Sequence, residues 1–203
     1  KDGDTDTSTA TLTINIGDST PTYTLPAAGD GVTTVYEAGL PARNGTEPAG
    51  SHIGATNTTA SGVIAVTSVD GVASVSLNNT AVTGTSAATA TTVLTNSTGT
   101  LTAWYDAATS QIHYTYTLLD NTGDTNNTTI SVPVSVTDND GDTPVSGSNL
   151  TITIVDDAPV AHADTDSVAA GQFTAETGNV ITGTGTTSGA AGADIQGADG
   201  ASV

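Results

Sequence analysis

Cysteine and methionine are both absent from the 203 residues, and only Lys1 and Arg43 carry a fixed positive charge. Without cysteine no disulfide framework braces the fold, and neither thiol chemistry nor thiolate metal binding is available. Against the two cations stand 21 Asp and Glu residues, giving a formal net charge of −19. That balance repels nucleic acid and anionic membrane surfaces and attracts divalent cations. Aromatics make up 3% of the chain, so a core has to be assembled from Val, Ile, Leu and Ala. No apolar run approaches the roughly 20 residues that a membrane helix needs, and direct membrane contact is not expected. No secretory leader opens at Lys1; the chain is expected to begin inside a longer protein whose secretion signal lies elsewhere.

What is present is repetition. Thr137-Asp138-Asn139-Asp140-Gly141-Asp142-Thr143 leads to Leu150-Thr151-Ile152-Thr153-Ile154, then Asp156-Asp157-Ala158-Pro159. The chain opens on similar text: Asp2-Gly3-Asp4-Thr5 leads into Leu12-Thr13-Ile14-Asn15-Ile16-Gly17-Asp18, and both Asp2 to Asp140 and Leu12 to Leu150 span an offset of 138. Later, Glu176-Thr177-Gly178 echoes Glu37-Ala38-Gly39 at an offset of 139, and Asp199-Gly200 echoes Asp70-Gly71 at 129. The chain therefore reads as a window onto a tandem array. Residues 1–18 are expected to form the final strand of a preceding repeat, 19–157 a complete repeat, and 158–203 a linker with the first part of the next.

Alternating apolar and polar residues predict strands, with no convincing helix. Candidate strands are Leu12 to Ile16, Tyr23 to Leu25, Val32 to Tyr36, Val63 to Val69, Val72 to Leu77, Leu101 to Tyr105, Ile112 to Leu118, Ile130 to Val136 and Leu150 to Ile154. Asp70-Gly71 reads as a hairpin turn because both residues tolerate positive φ, and Asp106 to Ser110 as a second hairpin. Pro133 suggests an edge strand or a bulge, since proline cannot donate to a ladder. Residues 43–61 read as a polar loop, and Trp104 as a cover on the core edge. Seven or more short strands between turns predict an all-β, immunoglobulin-like Greek-key β-sandwich in tandem array.

The acidic residues point to calcium. Hard oxygen ligands without His or Cys partners suit Ca²⁺ or Mg²⁺ rather than zinc or copper. Asp138, Asp140 and Asp142 alternate, share one face of an extended stretch, and converge if the chain turns at Gly141. A helical calcium hand is excluded, because Thr143 and Asn149 stand where its glycine and bidentate glutamate belong. Asp156, Asp157, Asp164 and Asp166 form a second group at the junction after the repeat, and Asp18 is the earlier copy's equivalent of Asp156. Glu37 is expected to reach back towards Asp18 or towards the Asp2, Asp4 and Asp6 group.

Taken together, the Asp-Asn-Asp-Gly-Asp-Thr loop, the Leu-Thr-Ile-Thr-Ile strand, Asp-Asp-Ala-Pro-Val-Ala and the Glu-Ala-Gly-Leu entry resemble extender repeats of giant repeats-in-toxin (RTX) adhesins. Those are type I-secreted proteins of Gram-negative bacteria. The resemblance spans the whole chain. It implies an immunoglobulin-like sandwich, Ca²⁺ at and between modules, neighbouring repeats as partners, a stiff extracellular stalk tethered at the outer membrane, and no catalysis. The Gly-Gly-x-Gly-x-Asp nonapeptide of such proteins' secretion end is absent.

Enzymatic readings find no residues to carry them: His52, His113 and His162 are scattered, and no serine sits in a nucleophile-elbow pattern. The rival reading is a ligand-binding adhesion module, with the 43–61 loop as its candidate surface, or a subunit of a self-assembling extracellular filament.

Overall fold

The computed structural model describes residues 9–200 apart from 16, 46, 124, 145 and 146. Ten strands form: β1 (Thr22–Thr24), β2 (Thr34–Tyr36), β3 (Thr59–Thr67), β4 (Val72–Leu77), β5 (Thr80–Ala81), β6 (Thr91–Thr95), β7 (Gly99–Asp106), β8 (Gln111–Leu118), β9 (Thr128–Asp138) and β10 (Asn149–Val155). They make two five-stranded sheets, ordered β1-β3-β8-β7-β6 and β2-β10-β9-β4-β5. All pairings are antiparallel except β2 with β10, which is parallel. The chain is thus an all-β sandwich.

The alternation seen in the sequence sets which side chains face inward. Ile112, Tyr114, Tyr116 and Leu118 of β8 face Val132, Val134 and Val136 of β9 and Leu150, Ile152 and Ile154 of β10 in one buried cluster. Burying each Leu or Ile contributes about 1.5–3 kcal/mol. Tyrosine hydroxyls tie the layers: Tyr23 of β1 donates to the Val134 carbonyl of the opposite sheet at 3.0 Å, and Tyr114 donates to the Val32 carbonyl at 3.0 Å.

The Asp106 to Ser110 turn joins β7 to β8 as a hairpin, with Ser110 in the left-handed region at φ 55°. Asp70-Gly71 behaves differently from the expectation. Gly71 does take a positive φ of 82°, but β3 pairs with β1 and β8 whereas β4 pairs with β5 and β9. Both edges of β3 are occupied by other strands, so the turn is a crossover between sheets and not a hairpin.

Pro133 lies in β9, a central strand flanked by β10 and β4, and not at an edge. Its carbonyl accepts from the Asn78 amide at 2.8 Å. Its missing donor therefore falls where β4 has already ended and the chain turns at Asn78-Asn79, both at positive φ, so no ladder bond is lost. The register irregularity lies further along, between Val72 and Ser74. Trp104 covers no core edge: it alternates with buried Ala103 on the outer face and stacks on His113, centroids 3.9 Å apart and 2° from parallel.

Residues 9–15 carry no strand, and Leu12 and Ile14 are 84% and 73% exposed, because neither sheet pairs with them. After β10 the described residues form no strand, only isolated bridges at Val160–Ile195 and Asn179–Thr184 and a 3-10 turn at Gly189–Ala191. Phe173 is 98% exposed, yet Ala198 is fully buried against the sandwich.

The register defines two ends. At one, Asp138 closes β9 opposite Val72 at the start of β4. At the other, β2 and β10 end side by side at Tyr36 and Val155, near the start of β9.

Candidate metal centres

Asp138 follows Val136 on the inward face of β9, and it is 1% exposed. Gly141, at φ 105°, turns the chain back. The amides of Gly141 and Asp142 then both donate to Asp138 Oδ1, at 3.1 and 2.7 Å. Asp138 Oδ2 is buried and has no hydrogen-bond partner. Ligand oxygens of Asp138, Asp140 and Asp142 lie within 4.8 Å of one another, and so do those of Asp18, Asp70 and Asp140. Five carboxylates from the entry segment, the β3–β4 crossover and the β9–β10 loop therefore converge around Asp140. Asn139 Nδ2 holds the crossover in place by donating to the Asp70 carbonyl at 2.7 Å.

The electrostatics show the strain of that arrangement. Contact with the Asp138 carboxylate pushes Asp140 up to about 6, while the hydrogen bond from Asp140 lowers Asp138. Asp142 is raised, chiefly by the charge of Asp18. A divalent cation relieves the same repulsion without a proton.

At the opposite end Glu37 begins a 3-10 turn immediately after β2 and is fully buried. Oε1 accepts from the Thr122 amide at 2.7 Å and hydroxyl at 2.9 Å. Oε2 is buried without a partner. Carboxylate oxygens of Glu37, Asp156 and Asp199 lie within 4.8 Å of one another. Burial raises Glu37, with Thr122 opposing it, and burial followed by the charge of Asp156 raises Asp199. A cavity of about 390 Å³ opens beside this group, with Asp156 and Asp199 both in its lining.

Several expectations about the site are redrawn. Glu37 meets Asp156 and Asp199 and not Asp18, because β2 runs parallel to β10 and delivers Glu37 to the end where β10 finishes. Asp18 lies at the other end, with Asp70 and Asp140. Asp157 is saturated by protein donors: Oδ2 accepts from the amides of Ser51 and Ala198 at 2.7 and 3.0 Å, and Oδ1 from the Ser51 hydroxyl. Asp164 accepts from the Ser188 hydroxyl at 2.7 Å, and Asp166 from the Thr187 hydroxyl at 3.1 Å. Among the described residues neither joins a carboxylate group. Asp2 and Asp4 lie outside the described residues. Asp70, Asp199 and Thr122 are the participants that sequence reasoning missed; the echo of Asp70-Gly71 in Asp199-Gly200 was the available signal.

Comparison of the chain with family models, with curated proteins and with solved structures finds no match. All donors are hard oxygens, and each site contains one buried oxygen whose hydrogen-bonding capacity is unused. That set fits Ca²⁺ or Mg²⁺ and offers zinc or copper no preferred ligand.

Proposed function

We propose that the chain is an extender module of a large secreted cell-surface adhesin, stiffened by Ca²⁺ at its two ends. The observation that carries this reading is the placement of the orphaned oxygens. Asp138 Oδ2 and Glu37 Oε2 are both buried, both unpartnered and both set among carboxylates, one at each end of a single sandwich. An unpaired buried carboxylate oxygen costs free energy, and an acidic loop kept only for solubility has no reason to bury one.

The strand order supports an immunoglobulin-like Greek key. β1-β3-β8-β7 faces β10-β9-β4, with β2 crossing to pair in parallel with β10, which matches the A-B-E-D and G-F-C arrangement of that fold. Chain entry at the Asp138 end and exit at the Glu37 end suit head-to-tail stacking, with neighbouring repeats of the same chain as partners. A charge of −19 suits a setting where divalent cations are plentiful. Asp138, Asp140, Asp142, Asp18 and Asp70 would hold the ion at one end; Glu37, Asp156 and Asp199 would hold it at the other. The ion would supply charge neutralisation and a bridge between segments. The filament alternative draws no support from the 158–200 segment, since its Ala198 docks on its own sandwich.

The test is calcium titration by calorimetry on the full chain, alongside small-angle scattering. Saturable binding accompanied by a stiffer, more extended particle is expected. Unchanged melting and scattering in calcium and in chelator would sink the proposal.

A further inference from the structure

Asn44 is the only asparagine in the chain that is followed by glycine. The pair lies in a tight loop: Arg43 and Glu47 exchange both main-chain hydrogen bonds at 3.0 Å, and Asn44 and Gly45 turn between them at φ 52° and 70°. Both residues tolerate the left-handed region that such a turn requires. Both are also exposed, and no atom stands within 4 Å of where a Gly45 Cβ would lie.

The residue at the base of this loop holds distant parts of the chain together. Arg43 Nε meets Asp120 at 2.8 Å and Glu47 at 3.3 Å, Nη1 donates to the Pro41 carbonyl at 2.9 Å, and Nη2 donates to the Ala198 carbonyl at 2.8 Å. Its side chain is 8% exposed. Ala198 is held twice more, its carbonyl by Asn121 Nδ2 at 3.0 Å and its amide by Asp157 Oδ2 at 3.0 Å. Arg43 thus ties the segment around Ala198 to a loop whose tip is open to water.

We propose that Asn44 is a site of spontaneous deamidation, and that its isoaspartyl product releases Arg43 from Ala198. The Gly45 nitrogen attacks Asn44 Cγ, a new C–N bond closes a succinimide ring, and the side-chain nitrogen leaves as ammonia, taking the Gly45 proton. Water then opens the ring. Breaking the bond to Cγ gives aspartate; breaking the bond to the main-chain carbonyl carbon gives isoaspartate, whose backbone runs through Cβ and Cγ. Glycine admits the attack, since a side chain at position 45 would crowd the approaching carbon. The hydrogen-bonded turn has to open first, and an exposed tip opens locally at low cost.

Either product sets a carboxylate on the loop beside Glu47 and Asp120, which already share one guanidinium. Isoaspartate also lengthens the main chain of the loop by one atom, so Arg43 and Glu47 lose their register. The guanidinium then withdraws from the Ala198 carbonyl, and Asp199 is held less firmly beside Glu37 and Asp156. The inference needs neither a bound ion nor a neighbouring repeat.

The full chain, fresh and after days in mildly alkaline buffer, is compared by peptide mapping and amide exchange. Asn44 is expected to convert many-fold faster than any other asparagine, with isoaspartate the larger product; conversion no faster than at Asn96 or Asn121 overturns the site. In the isoaspartyl fraction, exchange at Ile195, Ala198 and Gly200 is expected to speed several-fold, and unchanged exchange there overturns the release. A fresh Asn44→Asp chain carries the new charge without the added backbone atom and is expected to exchange like the parent. Exchange as fast as in the isoaspartyl fraction would overturn the role given to the lengthened loop. Asn44→Gln closes its larger ring far more slowly and is expected to keep its own fresh exchange rates on ageing; loosening as fast as the parent's overturns the proposal.

Discussion

Both ends of the sandwich are acidic, and each holds a buried oxygen without a partner, but they are assembled in different ways. The Asp138 end draws three carboxylates from five consecutive residues, and backbone amides of the same loop fix the first of them. The Glu37 end combines residues 37, 156 and 199, so it exists only when the linker and the segment beyond it have come back to the sandwich. The contrast teaches that one end can be preorganised by its own loop, while the other, on the tandem-module reading proposed above, would couple cation binding to contact between consecutive repeats.

Removing calcium should have the largest effect, acting on both ends at once. A site held at 100 times its dissociation constant adds about 2.7 kcal/mol to the folded state, so two filled sites correspond to a melting shift of about 10 °C or more in a chain of this size. Differential scanning calorimetry in calcium and in chelator measures it. Asp157→Ala should come next and should separate the ends. It strips the Ser51 and Ala198 amides of their acceptor at a cost of about 2 kcal/mol, and it should speed amide exchange in 195–200 while leaving calcium affinity at the Asp138 end unchanged.

Glu37→Gln should change sign with conditions. In calcium it removes a ligand and lowers stability by about 1 kcal/mol, whereas in chelator it removes an uncompensated buried charge and raises stability by a similar amount. A loss under both conditions would show that Glu37 acts only through Thr122.

The Asp138 end should respond to pH instead. Asp140 is pushed up to about 6 from its ordinary 3.8, so between those values the folded state keeps a proton that the unfolded chain has released. In chelator, stability from this group therefore falls as pH rises from about 4 through 6. Asp140→Asn should flatten that slope, and calcium should suppress it; thermal melts across the range decide. Smallest of all, Asp164→Asn and Asp166→Asn should stay within about 0.5 kcal/mol of the parent and leave calcium binding intact at either end.

How much of this was legible in the sequence follows the same division. The β7–β8 hairpin and the Asp138 to Asp142 loop could be read because their partners are neighbours along the chain. The fate of Asp70-Gly71 could not, since a turn that suits a hairpin also suits a crossover, and the choice belongs to β1 and β8, which occupy both edges of β3. Pro133 misled because its cost depends on where β4 stops. Glu37 was flagged as a ligand but sent to the wrong end, because only the parallel pairing with β10 fixes its position. Asp70 and Asp199 were legible as an echo, and the echo carried more about the site than either residue's local context.

The parallel pairing of β2 with β10 also bears on how the chain answers a pull. Tension between the entry near Asp18 and the exit near Asp156 runs along the strands, so Thr34, Val35 and Tyr36 are dragged past Thr153, Ile154 and Val155 in shear. Under that geometry the ladder's hydrogen bonds are loaded together and give way together. Rupture therefore demands a higher force than peeling the same few bonds apart in succession.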